Sequence, residues 1–239
     1  MTPPQIHLPR MTPGTRVVMS TIGVIYLANL LVFVASGMDG TGLYAQVVNW
    51  LVLNTTDLLA GKVWKALTYF LVIVPSDFVG VLINLLVLYF FAPDVERARN
   101  RKFLLQLCAL AIPAGALGHL LMVATAGAFW PYLFEISAMG TTAVINAVVA
   151  SMCWIHRDRM LSFFGIQMNG WGLLGIWLAF DVLTALTVSA SEFGLQLGGV
   201  AAGLLFSGGF ALWRRRLRLM YQRRRLKVVA GKDARDLMN

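Results

Sequence analysis

Six apolar segments, each of at least 20 residues, occupy over half of the 239-residue chain and limit what it can fold into. A helix needs about 20 apolar residues to cross the hydrocarbon core of a bilayer, so each segment is long enough to span a membrane. The segments are 17–36, 66–92, 103–126, 136–155, 171–190 and 193–213. Only 13% of the residues are charged, against about 25% in an average soluble domain. The pattern predicts an all-α, polytopic membrane protein and excludes a soluble globular or disordered chain.

The basic residues follow the alternation that is typical of a multi-pass protein. Of the 20 Lys and Arg residues, all but Lys62 and Lys65 fall at the N-terminus, in the second and fourth gaps between segments, or in the tail. Because Lys and Arg concentrate in cytoplasmic loops, both termini are predicted to be cytoplasmic, which requires an even number of spans. The net charge of +9 thus reflects topology and indicates no nucleic-acid partner. We expect a membrane domain at 17–213, between a cytoplasmic N-terminal segment (1–16) and a basic cytoplasmic tail (214–239).

Few residues suggest redox, metal or hydrolytic chemistry. Cys108 and Cys153 both fall within apolar segments, where a free cysteine behaves as a small hydrophobic residue. The sequence contains no H-E-x-x-H, no P-loop and no G-x-S-x-G motif. We therefore predict no metal site and no cofactor.

Prolines and polar residues subdivide the apolar segments. The stretch 43–53 is too short to span, so we expect an interfacial or re-entrant helix there, and an end of the outer loop at 66–74. A helix is predicted to begin near Asp77, which can cap it, and to stop at Pro93. Pro113 predicts a kink in the third helix.

Small residues in the last segment indicate a helix contact. Gly199 and Gly203 form a G-x-x-x-G pair, and the fourth segment is rich in alanine. Because lipid supplies no hydrophobic force between helices, close packing depends on such small residues. The pattern is consistent with close packing of the fourth and sixth helices, and equally with a chance pairing in Gly- and Ala-rich spans.

Asp181 lies near the middle of the fifth segment, where an ionisable side chain is costly and suggests a function. No Lys or Arg shares its depth in any segment, so we expect a protonated carboxyl or a hydrogen bond to Thr184, Thr187 or another helix. A transport pathway would need several such residues, and no internal repeat supports one.

Four motifs, in order, resemble those of the rhomboid family, the six-helix intramembrane serine proteases and their inactive relatives. They are Trp64-Lys65-x-x-Thr68 before helix 2, Asn84 and Glu96 in helix 2, Gly140-Thr141-Thr142-Ala143 at helix 4, and Gln196-x-x-Gly199-x-x-x-Gly203 in helix 6. The family has Trp-Arg-x-x-Thr, an Asn with a terminal Gly-x-x-Glu, Gly-x-Ser-Gly and His-x-x-Gly-x-x-x-Gly at these places. The resemblance implies a six-helix bundle with a laterally open groove between helices 2 and 5. It also implies that the Trp, Lys, Thr, Glu and two Gly residues of these motifs serve packing and the fold.

The chain departs from the family at the catalytic positions. An active rhomboid uses a helix 4 Ser as nucleophile and a helix 6 His as its base. Here these positions hold Thr142 (or Met139, if the motif is shifted by three residues) and Gln196, and the oxyanion-side His is replaced by Gly80. A hydroxyl needs an adjacent base to lose its proton, and an amide cannot hold a proton near pH 7. The three histidines are expected to lie elsewhere: His7, His119 and His156.

The sequence therefore predicts a rhomboid-like membrane protein that is not a protease and that binds or escorts transmembrane helices of other proteins. The candidate groove residues are Asn84, Gly140, Thr142, Asp181 and Gln196. We expect a hydrogen-bonded pair between Thr142 and Gln196 rather than a catalytic remnant. Two alternatives remain, a divergent serine/threonine-type intramembrane protease and a structural subunit of a larger membrane complex. The expected setting is a bacterial inner (cytoplasmic) membrane, with anionic lipid as a further partner of the basic tail.

Overall fold

The computed structural model describes residues 10–38, 40, 42–126, 129, 137–163, 166–187 and 192–209. The predicted basic tail (214–239) and most of the N-terminal segment lie outside the described residues. The helices are α1 (Pro13–Ala35), α2 (Gly42–Leu51), α3 (Thr55–Leu59), α4 (Lys65–Thr68), α5 (Phe78–Arg99), α6 (Arg101–Ala126), α7 (Thr142–Ile155), α8 (Gly170–Thr187) and α9 (Phe193–Leu204). A 3₁₀ turn (Tyr69–Leu71) follows α4, and a π-helical turn (Leu205–Gly209) follows α9.

Two short antiparallel ladders, which the sequence did not predict, join the loops. Strand β1 (Leu53–Asn54) pairs with β2 (Ser137–Ala138), and β3 (Met160–Phe163) forms a hairpin with β4 (Ile166–Asn169). The first ladder ties the segment after α2 to the segment that leads into α7.

Six apolar helices overlap the six predicted segments, although α1, α5, α6 and α8 begin or end outside the predicted bounds. By length and composition, α1, α5 and α6 qualify as membrane spans, with 23, 22 and 26 residues. The other three apolar helices are shorter, and they are Thr142–Ile155, Gly170–Leu186 and Phe193–Gly208. The described helices thus form a multi-pass membrane bundle, while the count of six spans and the side of the termini stay predictions.

The helix of the second apolar segment begins where it was predicted to begin but ends later than predicted. Asp77 is the N-cap of α5, and its Oδ1 accepts a hydrogen bond from the Gly80 N–H at 3.1 Å. The prediction that this helix stops at Pro93 is wrong, because α5 continues to Arg99. Pro93 and its neighbours are buried in the bundle, and this packing outweighs the one hydrogen bond that a proline removes. The helix ends instead at Asn100, whose φ is 105°.

The Trp-Lys-Thr motif binds the short helix α2, which forms where it was predicted. Lys65 is 3% exposed, and its Nζ donates to the Asn49 carbonyl at 2.6 Å. Thr68 Oγ1 donates to the Leu51 carbonyl at 3.1 Å, and Trp64 Nε1 donates to a third α2 carbonyl at 3.4 Å. These hydrogen bonds hold α2 against α4 and the residue before it.

Glu96, near the end of α5, caps the start of α1. Its carboxylate accepts the Gly14 and Thr15 N–H groups at 2.8 Å each, the Thr15 hydroxyl at 3.3 Å, and the Thr12 hydroxyl. A carboxylate at a helix N-terminus satisfies unpaired N–H groups and interacts favourably with the helix dipole. Gly14 leaves the space for it, because a Cβ there would lie 2.7 Å from a Glu96 oxygen.

Helix α9 packs against α7 through the predicted glycine pair. A Cβ on Gly199 would overlap the Ala143 carbonyl oxygen, and a Cβ on Gly203 would overlap that of Ala147. The two backbones are therefore in direct contact, and the prediction that the fourth and sixth helices pack closely is confirmed.

A second glycine face of α9, which the sequence analysis did not assign, packs against α6. A Cβ on Gly198 would overlap the Ala114 carbonyl oxygen, and a Cβ on Gly118 would meet the backbone of Gly194 and Gly198. Helix α9 therefore lies between α6 and α7, with backbone contact on two sides.

Candidate functional site

A cavity of about 280 Å³, lined by both polar and apolar side chains, lies between α5, α7, α8 and the start of α9. Five residues that the sequence singled out share its wall: Gly80, Asn84, Thr142, Asp181 and Gln196. Met139 is not among the residues of the wall, so Thr142 is the member of that motif that faces the cavity. Gly140 lies before α7 with φ +97°, and its N–H donates to the Tyr69 carbonyl at 3.2 Å.

The cavity separates α5 from α8 at one end of the bundle. Trp177 of α8, itself in the cavity wall, packs its ring edge to face on that of Phe91 of α5, at 6.4 Å between centroids. Toward the N-terminus of α5, Asn84 faces the cavity from one side and Phe180 from the other. Phe180 is 66% exposed, so this wall is accessible from the surface of the bundle. We call the side of the cavity at Asp77 and Phe180, both of which are exposed, the mouth.

The expected hydrogen bond to Asp181 from another helix is present. Asn146 Nδ2 on α7 donates to Asp181 Oδ2 at 2.9 Å, and Asn146 Oδ1 accepts from Trp177 Nε1 at 2.6 Å. Thr184 Oγ1 donates to the Asp181 backbone carbonyl at 2.9 Å, not to its carboxylate. These hydrogen bonds connect α7 to α8 within the cavity wall. They leave Asp181 Oδ1 without a hydrogen bond among the described residues.

Thr142 and Gln196 do not form the expected pair. Thr142 Oγ1 and Gln196 Oε1 are both buried, and neither has a hydrogen-bond partner among the described residues. A buried polar atom without a partner costs about 1–3 kcal/mol. No imidazole or carboxylate of the described chain is hydrogen-bonded to the Thr142 hydroxyl, so nothing there is in place to accept its proton.

Position 80, where the resemblance implies a histidine in active members, holds a glycine that leaves room for the Asp77 carboxylate. A Cβ on Gly80 would collide with the Asp77 carboxylate, which folds back to cap α5. A longer side chain at this position would displace that cap. The helix start and the side chain that the family uses there thus compete for one space.

Three carboxylates line the cavity at increasing depth. Asp77 is exposed at the mouth, Glu192 is partly buried at the N-cap of α9, and Asp181 is 7% exposed. Burial, followed by the negative charge of Asp77, raises the pKa of Glu192. The residues that line the cavity include no Lys, Arg or His.

Two lysines and a histidine contact groups that are not part of the cavity wall. Lys62 and Lys65 both pair with Asp57, which lowers the pKa of that carboxyl. His119 on α6 is 1% exposed, and its Nε2 lies 3.4 Å from the Thr55 hydroxyl. Within the described ranges, no group of three or more His, Cys, Asp and Glu residues could hold a metal ion.

Sequence reasoning missed Asn146, Trp177, Asp77 and Glu192 as members of this site. Asn146 could have been found, because it lies four residues after Thr142 and therefore on the same helix face. Glu192 and Asp77 had no such signal, since only the meeting of the α9 and α5 starts brings them to one opening.

Comparison with known families gives one match. The model of the Rhomboid domain matches residues 60–213, which is well over half of the chain and contains every residue of the cavity wall. No curated protein matches the sequence.

Proposed function

The chain belongs to the rhomboid family of membrane proteins, and we propose from that premise that it is a non-proteolytic member that binds transmembrane helices. Its role would be to hold or escort single-span proteins through the gap between α5 and α8. Residence in a bacterial inner membrane, and contact of the basic tail with anionic lipid, belong to the same proposal.

The observation that carries the proposal is the solitary Thr142 hydroxyl. Its oxygen is buried without a hydrogen-bond partner among the described residues. General-base assistance contributes about 10²–10⁴ to a rate, and an alcohol without it is a poor nucleophile. Gln196, at the position of the base, offers only an amide. Acyl transfer at Thr142 would therefore have no proton acceptor hydrogen-bonded to the hydroxyl among the described residues.

The cavity between α5 and α8 supports binding rather than cleavage as the output. It is open at the exposed Phe180 and floored by polar side chains of α7 and α9. Thr142 and Gln196 line this floor, and a rotation of either side chain would turn its buried oxygen, which has no partner among the described residues, toward a polar group of a client helix. Such a contact would satisfy a polar atom that is otherwise without a partner.

Photo-crosslinking in proteoliposomes tests the binding. A photoreactive residue is placed at Gly140, Gln196 or Phe180, with Leu121 on α6 as the matched control because Leu121 and Phe180 are each 66% exposed. We expect capture of single-span proteins from Gln196 and Phe180, which line the cavity, and from Gly140, which lies just before α7, and little from the control. Capture of lipid alone would refute client binding, and one partner at fixed stoichiometry would favour the structural subunit.

A cleavage assay tests the other half of the proposal. The purified protein is incubated with a model transmembrane substrate, beside Thr142→Ala. We expect no cleavage by either protein. Cleavage that Thr142→Ala abolishes would overturn the proposal and establish the divergent protease.

A further inference from the structure

The cavity holds acidic charge that no cation of its wall balances. Asp77, Glu192 and Asp181 line it, and no ion pair among the described residues includes any of the three. Asp181 has a hydrogen bond from Asn146 to only one of its two oxygens. A negative, partly desolvated site of this kind attracts a positive group and disfavours a negative one.

A second observation, independent of the carboxylates, indicates that the ligand carries hydrogen-bond donors. Gln196 lines the cavity and is 8% exposed, and its buried Oε1 has no partner among the described residues. Thr142 Oγ1, on the facing helix, is in the same state. Two buried acceptors beside an acidic opening match a ligand that brings several N–H donors and a positive charge.

An ammonium or guanidinium group fits these features better than a metal ion. No group of described residues could hold a metal, whereas a Lys or Arg side chain needs only acceptors spread over several ångströms. Such a side chain is also costly inside lipid, so a client helix that carries one gains by placing it in this cavity. Its aliphatic stem would pass along Phe180 while its charged end reaches the mouth.

We propose that the cavity selects client helices that carry a Lys or Arg side chain at the depth of the mouth. This selectivity rests on the proposed function, because it names which transmembrane helices the gap binds. The carboxylates at the mouth supply the charge preference, and Thr142 and Gln196 accept the remaining hydrogen bonds.

The test uses three single-span model peptides that are identical except for Lys, Leu or Glu at one position near the mouth-side end of the helix. The full-length protein, with a photoreactive residue at Phe180, is reconstituted in phosphatidylcholine vesicles with each peptide. We expect capture in the order Lys, Leu, Glu, with about a tenfold preference for Lys over Leu, since a partly buried charge pair lies between exposed and fully buried ones in strength.

The matched variants separate local charge from net charge. Asp77→Asn with Glu192→Gln neutralises the mouth, and Asn retains a good helix cap. Asp94→Asn with Asp158→Asn removes the same net charge at the opposite ends of α5 and α7, where both carboxylates pair with arginines. We expect the Lys preference to disappear only in the first double variant.

The outcomes distinguish the two proposals. Equal capture of the three peptides, above the Leu121 control, would overturn the charge selectivity and leave client binding intact. Capture no greater than at Leu121 would overturn client binding itself. Loss of the Lys preference when phosphatidylethanolamine replaces phosphatidylcholine would assign the site to a lipid ammonium group and overturn the selectivity for helices.

Discussion

Replacement of Glu96 by alanine should destabilise the protein by about 4 kcal/mol, although Glu96 lies far from the cavity. Its carboxylate accepts hydrogen bonds from the N–H groups of Gly14 and Thr15, both of which are buried. A buried donor left without a partner costs about 1–3 kcal/mol, and the interaction of a carboxylate with a helix N-terminus contributes about 0.3–1 kcal/mol more. The loss would detach the start of α1 from the end of α5.

The measurement is the free energy of unfolding in detergent micelles, followed by far-ultraviolet circular dichroism. Glu96→Gln keeps a carbonyl acceptor without the charge, and should lose about half as much. Asp94→Ala is the control, because Asp94 is 38% exposed and pairs only with Arg97 along the same helix, an interaction worth under about 1 kcal/mol. Equal unfolding free energies for Glu96→Ala and Asp94→Ala would refute the argument.

Three further predictions concern α9 and the cavity. Gly199→Ala should lower the free energy of unfolding by about 1–3 kcal/mol, because the new Cβ would overlap the Ala143 carbonyl. Gly175→Ala should have no such effect, because no atom lies within 4 Å of its Cβ position. Unfolding measurements that rank the two variants oppositely would contradict the packing. Thr142→Val should raise the free energy of unfolding by about 1 kcal/mol, because it removes a buried hydroxyl that has no partner among the described residues. Thr184→Val should not, because it loses the hydrogen bond to the Phe180 carbonyl. Equal effects of the two substitutions would contradict the assignment of Thr142 as unpaired. The raised pKa of Glu192 means that the folded state holds this proton more tightly than the unfolded state, so stability should decline as pH rises from the ordinary Glu range through the raised value. Glu192→Gln should abolish that decline, and an unchanged pH profile would contradict it.

The apolar pattern predicted the positions of the six main helices because length and composition decide which segments can cross lipid. It placed the end of α5 too early, since the effect of Pro93 depends on the core around it and not on the local sequence. The two-residue strands β1 and β2 carry no periodicity that could reveal them.

Some members of the candidate site could be predicted from the sequence, but most of the contacts between them could not. The motifs identified Thr142 and Gln196, but whether their atoms meet depends on how α7 and α9 cross, which the Gly199 contact sets. Likewise, the position of Asp181 indicated a protonated carboxyl or a hydrogen bond to Thr184, Thr187 or another helix, while the partner Asn146 followed only from the packing of α7 on α8.

The two glycine faces of α9 also constrain the order of assembly. Translation delivers α9 after α6 and α7, so these two helices must enter the bilayer before the element that fits between them exists. Until Phe193–Leu204 is synthesised, the backbone at Ala114 and Ala143, which α9 later covers, is exposed to lipid and to any other helix with small residues. A ribosome that stalls upstream of this point would leave a half-built bundle prone to mispairing.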